Sequence, residues 1–125
     1  MPHLPGLVIV VEDDAAVRNS LKFALEMEGL TVRTFKSGPD LLAQGEFPAE
    51  GCLVIDYYMP VMNGLDLVSN LRGRRVNLPV LLITARATRE MRTSAARAGI
   101  RMVLEKPLQD SALIDGIRGV LSRPH

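Results

Sequence analysis

Five side chains stand where chemistry can be built: Glu12, Asp13, Asp56, Thr84 and Lys106. Each lies at or just past the end of a strand-like segment. Leu53-Val54-Ile55 runs into Asp56, and Tyr57-Tyr58-Met59-Pro60-Val61-Met62-Asn63-Gly64 then breaks the chain. An apolar strand that ends on a single acid presents a carboxylate with a specific task. Three acids gathered at one place repel one another, and a bound cation or protonation relieves that. The ligands available are all oxygens, with no His or second Cys near, which favours Mg²⁺ or Mn²⁺ over zinc. The Thr84 hydroxyl can donate to a phosphoryl oxygen, and the Lys106 ammonium can pair with another as a compact cation. Phosphoryl transfer rests mainly on positioning and charge neutralisation. Asp56 is then the nucleophile, forming an acyl phosphate.

The elements that must bring these residues together can be read in order. Residues 7–11 form a solid apolar run, read as a buried strand ending at Glu12-Asp13-Asp14. Val17, Leu21, Ala24 and Leu25 then recur at helical spacing, with Asp14 as N-cap and Gly29 as the stop. Residues 31–35 alternate polar and apolar, as an edge strand does. A short helix carries Leu41 and Leu42. Residues 52–55 and 80–83 are unbroken apolar strands, with Pro79 tolerated at a strand start. Helices follow around Leu65, Val68 and Leu71, and over 88–98 with Met91, Ala95 and Ala98 inward. Residues 101–104 form the last strand, and Leu113, Ile114, Ile117, Val120 and Leu121 mark the last helix.

Strand followed by helix, five times over, implies right-handed βαβ units and a parallel sheet. Central strands of such a sheet are covered on both faces and read as continuous apolar runs. The first, third and fourth strands do so, and the second and fifth are more polar. The expected fold is therefore α/β: a (βα)5, flavodoxin-like three-layer sandwich with strand order 2-1-3-4-5. Sites in this architecture lie beyond the carboxyl ends of the strands. The acid pair, Asp56, Thr84 and Lys106 thus converge on one rim.

The bulk numbers set bounds on the alternatives. The length of 125 residues predicts a single domain over 1–125, with 1–6 as an N-terminal extension and 122–125 as terminus or start of a linker. The net charge of +1 argues against direct nucleic-acid binding by this segment, and the arginines between 72 and 101 read as a solvated surface. Cys52 is the only cysteine, which fits a reducing cytoplasm and a small buried hydrophobe. No signal peptide or membrane span is expected.

With these residues assembled, the chain resembles the receiver domain of two-component response regulators over essentially its whole length. The matching motifs are Glu12-Asp13, the block Asp56-x-x-Met59-Pro60-x-x-x-Gly64, Thr84-Ala85 and Lys106-Pro107. Each is weak alone; all four, in order and at strand ends, are specific. The segment 106–117 is similar to FixJ-type receivers. The resemblance implies phosphorylation on Asp56 and Mg²⁺ held by Asp13, Asp56 and the Tyr58 backbone carbonyl, with Glu12 acting through water. It also implies Thr84 and Lys106 on the phosphoryl group, and a cis Lys106–Pro107 bond. The donor would be a sensor histidine kinase or phosphotransfer protein carrying phosphohistidine. Output would pass to a downstream domain or partner protein through the face of the fourth helix, fifth strand and fifth helix, with a homodimer as one route. No external substrate is turned over; self-phosphorylation and slow self-hydrolysis are the only reactions.

Two positions depart from or qualify this pattern. Val103 stands where the family usually places a switch Tyr or Phe, so a muted or rerouted switch is expected. Tyr58 and Arg86, two residues past Asp56 and Thr84, would flank an acyl phosphate. Tyr58 either shields it from water or serves as a surface contact. Competing readings are an aspartate-nucleophile phosphohydrolase, a pseudo-receiver and a flavin binder. The first usually has a second Asp where Tyr58 stands. The second is disfavoured by the complete set of site residues, and the third by the lack of a phosphate-cradling loop after the first strand.

Overall fold

In the computed structural model, the structure describes residues 7–121; the expected N-terminal extension (1–6) and the terminus or linker start (122–125) lie outside the described residues. The apolar runs form strands β1 (Leu7–Val11), β3 (Cys52–Asp56) and β4 (Val80–Thr84). The more polar segments form β2 (Thr31–Phe35) and β5 (Met102–Glu105). The helices between and after them are α1 (Ala15–Met27), α2 (Gly38–Gln44), α3 (Gly64–Gly73), α4 (Arg89–Arg97) and α5 (Asp110–Leu121). All strand pairs are parallel, in the order β2-β1-β3-β4-β5. The fold is thus the flavodoxin-like one expected.

Burial explains the order. Every residue of β3 and β4 is buried, because helices cover both faces of a central parallel strand. β2 and β5 lie at the edges, and β5 has exposed ends. Successive side chains point to opposite faces of the sheet. Ile9, Leu53, Ile55 and Leu82 therefore pack on one side with α2, α3 and α4, through Leu41, Leu67, Leu71, Met91 and Ala95. Val8, Val10, Val54, Leu81 and Ile83 pack on the other side with α1 and α5, through Leu21, Leu25, Leu113 and Ile117. Each fully buried Leu or Ile contributes roughly 1.5–3 kcal/mol relative to exposure. Two layers of apolar side chains thus clamp the strands whose ends carry the acids.

The helix starts follow local chemistry. Asp14, Ser37, Asn63 and Thr88 each accept a backbone N–H three residues on, capping α1, α2, α3 and α4. The β5 boundary falls one residue later than expected. The Arg101 N–H does bond to the Val80 carbonyl at 2.9 Å, but strand register begins at Leu81–Met102. Ala98, expected inward, does pack against the apolar layer of Met91 and Ala95, though only half-buried because it is the C-cap of α4. Gly116 lets α5 approach the sheet: a Cβ there would meet Leu81 Cδ2 at 2.9 Å and Met102 Sδ at 3.0 Å.

Candidate functional site

Asp56 is the last residue of β3 and is 3% exposed. Its strand is held on both sides by ladders to β1 and β4. The Tyr57 N–H continues the second ladder onto the Ile83 carbonyl at 2.7 Å. The chain then leaves the sheet in a tight reversal. The Met62 N–H bonds to the Pro60 carbonyl at 2.8 Å across Val61, whose φ is +71°. That is a γ-turn of the rare positive-φ form, here built on a β-branched residue. The Gly64 N–H returns to the Tyr57 carbonyl at 2.9 Å and starts α3. A Cβ on Gly64 would lie 2.9 Å from the Asp56 carbonyl oxygen and 2.8 Å from Leu82 Cδ1. Gly64 is therefore what allows α3 to begin directly against the backbone of the acid.

The acid pair follows β1. Glu12 is 1% exposed, whereas Asp13 is open to solvent. One carboxylate oxygen from each of Glu12, Asp13 and Asp56 lies within 4.8 Å of the others. Lys106 comes in from the end of β5. Its Nζ donates to Glu12 Oε1 at 3.2 Å and stands 3.6 Å from Asp56 Oδ1. The ammonium thus reaches both buried acids but hydrogen-bonds only one. Asp56 Oδ1 is buried with no hydrogen-bond partner. Burial, with the Glu12 charge next, pushes the Asp56 carboxyl up to about 7, against the opposing pull of Lys106. Burial would lower the Lys106 ammonium, but Asp56 and Glu12 outweigh it, and its net shift is upward.

This donor set fits a hard divalent cation. It is all oxygen, it combines two buried carboxylates with one exposed carboxylate, and it leaves a buried anionic oxygen unsatisfied. The acid cluster can hold a metal ion.

The remaining expected residues sort differently. Thr84 ends β4, fully buried, opposite Glu105 in register. The Lys106 N–H bonds to its carbonyl at 2.8 Å. Its hydroxyl donates to the Arg86 carbonyl at 3.0 Å and accepts the Arg86 N–H at 3.2 Å. The backbone of Arg86, not its guanidinium, is what meets Thr84; the side chain is exposed. Tyr58 is 51% exposed and packs edge-on against Tyr57, with ring centroids 4.7 Å apart. Val103 is half-buried against the apolar layer that contains Met91 and Ala95. The Lys106–Pro107 bond is cis, as expected.

Two contributors were not anticipated from sequence. Arg18 Nη1 donates to the Glu12 carbonyl at 2.8 Å and lies 3.4 Å from the Asp13 carbonyl, tying the acidic loop to the first turn of α1. Glu105 Oε2 accepts the Ala87 N–H at 2.9 Å, tying the end of β5 to the loop after Thr84. Helical spacing after the acid pair was the only signal for Arg18, and Glu105 gave none.

The family model for the response regulator receiver domain matches residues 8–118. The transcriptional regulatory protein FixJ of Azorhizobium caulinodans is 37% identical over 116 residues, covering 93% of this chain and 55% of that protein. The transcriptional regulatory protein TdiR of Thauera aromatica is 35% identical over 115 residues, covering 92% of this chain and 51% of that protein. The chain thus spans about half the length of the curated relatives it matches. Among solved structures, the crystal structure of FixJ-N superposes with a TM-score of 0.87 at 33% identity, covering 100% of this chain and 98% of that one.

Proposed function

The chain belongs to the response regulator receiver domain family of two-component systems, and on that premise we propose that Asp56 accepts a phosphoryl group from a phosphohistidine. The observation that carries this reading is the buried Asp56 Oδ1, without a hydrogen-bond partner and with Lys106 Nζ 3.6 Å away. A carboxylate oxygen with no protein hydrogen bond is free to attack, and an ammonium at that range pairs with an incoming anion.

Asp56 attacks the phosphorus, the P–N bond breaks and its electron pair returns to the imidazole, leaving an acyl phosphate on Asp56. Lys106 and the Thr84 hydroxyl receive phosphoryl oxygens, for which Thr84 must give up Arg86. Water later attacks the phosphorus and releases inorganic phosphate, so the unit runs on phosphodonors and turns over no other substrate. Asp13, Asp56 and the Tyr58 carbonyl would hold Mg²⁺, with Mn²⁺ as a substitute and Glu12 contributing through water. Bound there, the ion supplies positive charge that offsets the acids and the phosphoryl oxygens. Tyr58 and Arg86 border the acyl phosphate and set its lifetime.

The donor is a sensor histidine kinase or phosphotransfer protein. The output is an appended domain or a partner protein engaged through α4, β5 and α5, with cytoplasmic residence following from that pairing. No helix among the described residues is long and apolar enough to cross a membrane. Mass spectrometry after incubation with a small-molecule phosphodonor and Mg²⁺ tests the reading. One phosphoryl adduct is expected on the wild type and none on Asp56→Asn. A wild type that stays unmodified, with kinase-borne phosphohistidine as donor as well, would overturn it.

A further inference from the structure

The loop that joins β4 to α4, residues 85–88, is fastened at three points. At its start, the Thr84 hydroxyl is closed onto the Arg86 backbone. At its end, the Thr88 hydroxyl accepts the Met91 N–H at 3.1 Å and caps α4. Only the third fastening comes from β5. Glu105, exposed on the edge strand, accepts the Ala87 N–H. The first two ties are local in sequence and travel with the loop. The Glu105 tie spans 18 residues and anchors the loop to β5. Glu105 also sits between Thr84, its register partner, and Lys106, whose ammonium enters the acid cluster. The Ala87 amide that it binds lies two residues before the start of α4. Among the described residues it makes no ion pair within 4.0 Å, so the Ala87 amide is the contact this geometry accounts for.

We propose that Glu105 is a positioning residue for the phosphoryl-acceptor reaction: its grip on Ala87 holds the β4–α4 loop in the arrangement that keeps the Thr84 hydroxyl on Arg86. The inference rests on the reading of Asp56 as phospho-acceptor, because Thr84 has a second place to go only when a phosphoryl group is present. The Thr84 hydroxyl holds both the N–H and the carbonyl of Arg86, so a hydroxyl drawn away to a phosphoryl oxygen leaves that part of the loop free to move. A tether from the neighbouring strand opposes that movement. Glu105 therefore sets how much of the phosphoryl-binding free energy goes into releasing the loop. The same tether lets loop movement be felt at the edge strand next to Lys106.

The test measures affinity for beryllofluoride, a tetrahedral phosphoryl mimic, with Mg²⁺ present, together with the Ala87 amide proton shift and its hydrogen exchange. Glu105→Ala should bind the mimic about three- to tenfold more tightly, the range expected for removing one hydrogen bond that opposes binding. Its Ala87 amide should move upfield and exchange faster. Glu105→Gln keeps an acceptor oxygen without the charge, and should fall between wild type and Glu105→Ala on both readouts. In a Thr84→Ala background the effect of Glu105→Ala on affinity should vanish, since the coupling runs through the hydroxyl. Unchanged or weaker mimic binding in Glu105→Ala would overturn the proposal. So would an effect that persists without the Thr84 hydroxyl. If the wild type itself binds no beryllofluoride and takes no phosphoryl adduct, the reading of Asp56 fails first and the proposal falls with it.

Discussion

The carboxyl rim of the sheet has two unlike halves. On the acid half, Glu12 and Asp56 are 1% and 3% exposed, at the ends of interior strands paired on both sides. Gly64 packs α3 directly against the Asp56 backbone. On the other half, Lys106 follows an edge strand and keeps 30% of its side chain exposed. The Thr84 hydroxyl is spent on its own loop, and that loop is tied to β5 through one side-chain hydrogen bond. Single exposed hydrogen bonds of that kind contribute only about 1 kcal/mol each. A nucleophile has to be fixed, and this one is fixed by ladders and close packing. The groups that answer a new charge have to move, and they are held by ties weak enough to exchange.

If the acid half stores repulsion, neutralising its centre should give the largest change. Asp56→Asn is expected to stabilise the metal-free protein at pH 8 by on the order of 2–4 kcal/mol in urea denaturation. The sign follows from the shift. The folded-state carboxyl titrates at about 7 and the ordinary value is 3.8. Between these values the folded form holds the proton that the unfolded form has lost. Wild-type stability should therefore fall as pH rises from about 4 to about 7, and level off above. The Asn variant should lack that slope, and a flat wild-type profile would contradict the contrast between the halves. Next in size, Lys106→Met should slow phosphoryl incorporation by about 100-fold in a phosphodonor time course, the usual cost of removing one charged group that stabilises transferring oxygens.

Gly64→Ala probes whether packing is what fixes Asp56. It should destabilise by about 2 kcal/mol in thermal or urea unfolding, because its Cβ would press on backbone and on Leu82. A neutral result would mean that α3 can slide without disturbing the acid. The smallest effect is expected at the turn between them. Val61 is 95% exposed with a φ of +71°, so no packing compensates its strain. Val61→Gly should raise stability by about 1 kcal/mol, measurable as a shift in Tm.

The acid half was far more legible in sequence than the responsive half, for a physical reason. Asp56 closes an unbroken apolar run, and Glu12-Asp13 follow another; strand periodicity alone brings their ends to one rim. Asp14 was readable as the cap of α1, because capping is a contact between near neighbours. What could not be read depends on which loops touch. Lys106 Nζ chooses Glu12 over Asp56 by a few tenths of an ångström. Thr84 satisfies its hydroxyl within its own loop, and Glu105 reaches Ala87 across two elements. The β5 boundary moved by one residue because Arg101 meets β4 only through its N–H on the Val80 carbonyl, ahead of the Leu81–Met102 register. Val103 was readable as a missing ring. Its place against the apolar layer that contains Met91 and Ala95 needed the fold.

The five-stranded sheet also acts as a partition. Met91 and Ala95 of α4 belong to one apolar layer, and Leu21, Leu25 and Ile117 of α1 and α5 belong to the other. Substitutions in layers that share no contacts tend to add without interfering. Over generations of sequence drift, one helical layer can therefore be recut for a new associate while the opposite layer keeps its old one. The acid centre, at the edge of the partition, is a place where both histories must agree, as is any face that α4 and α5 share.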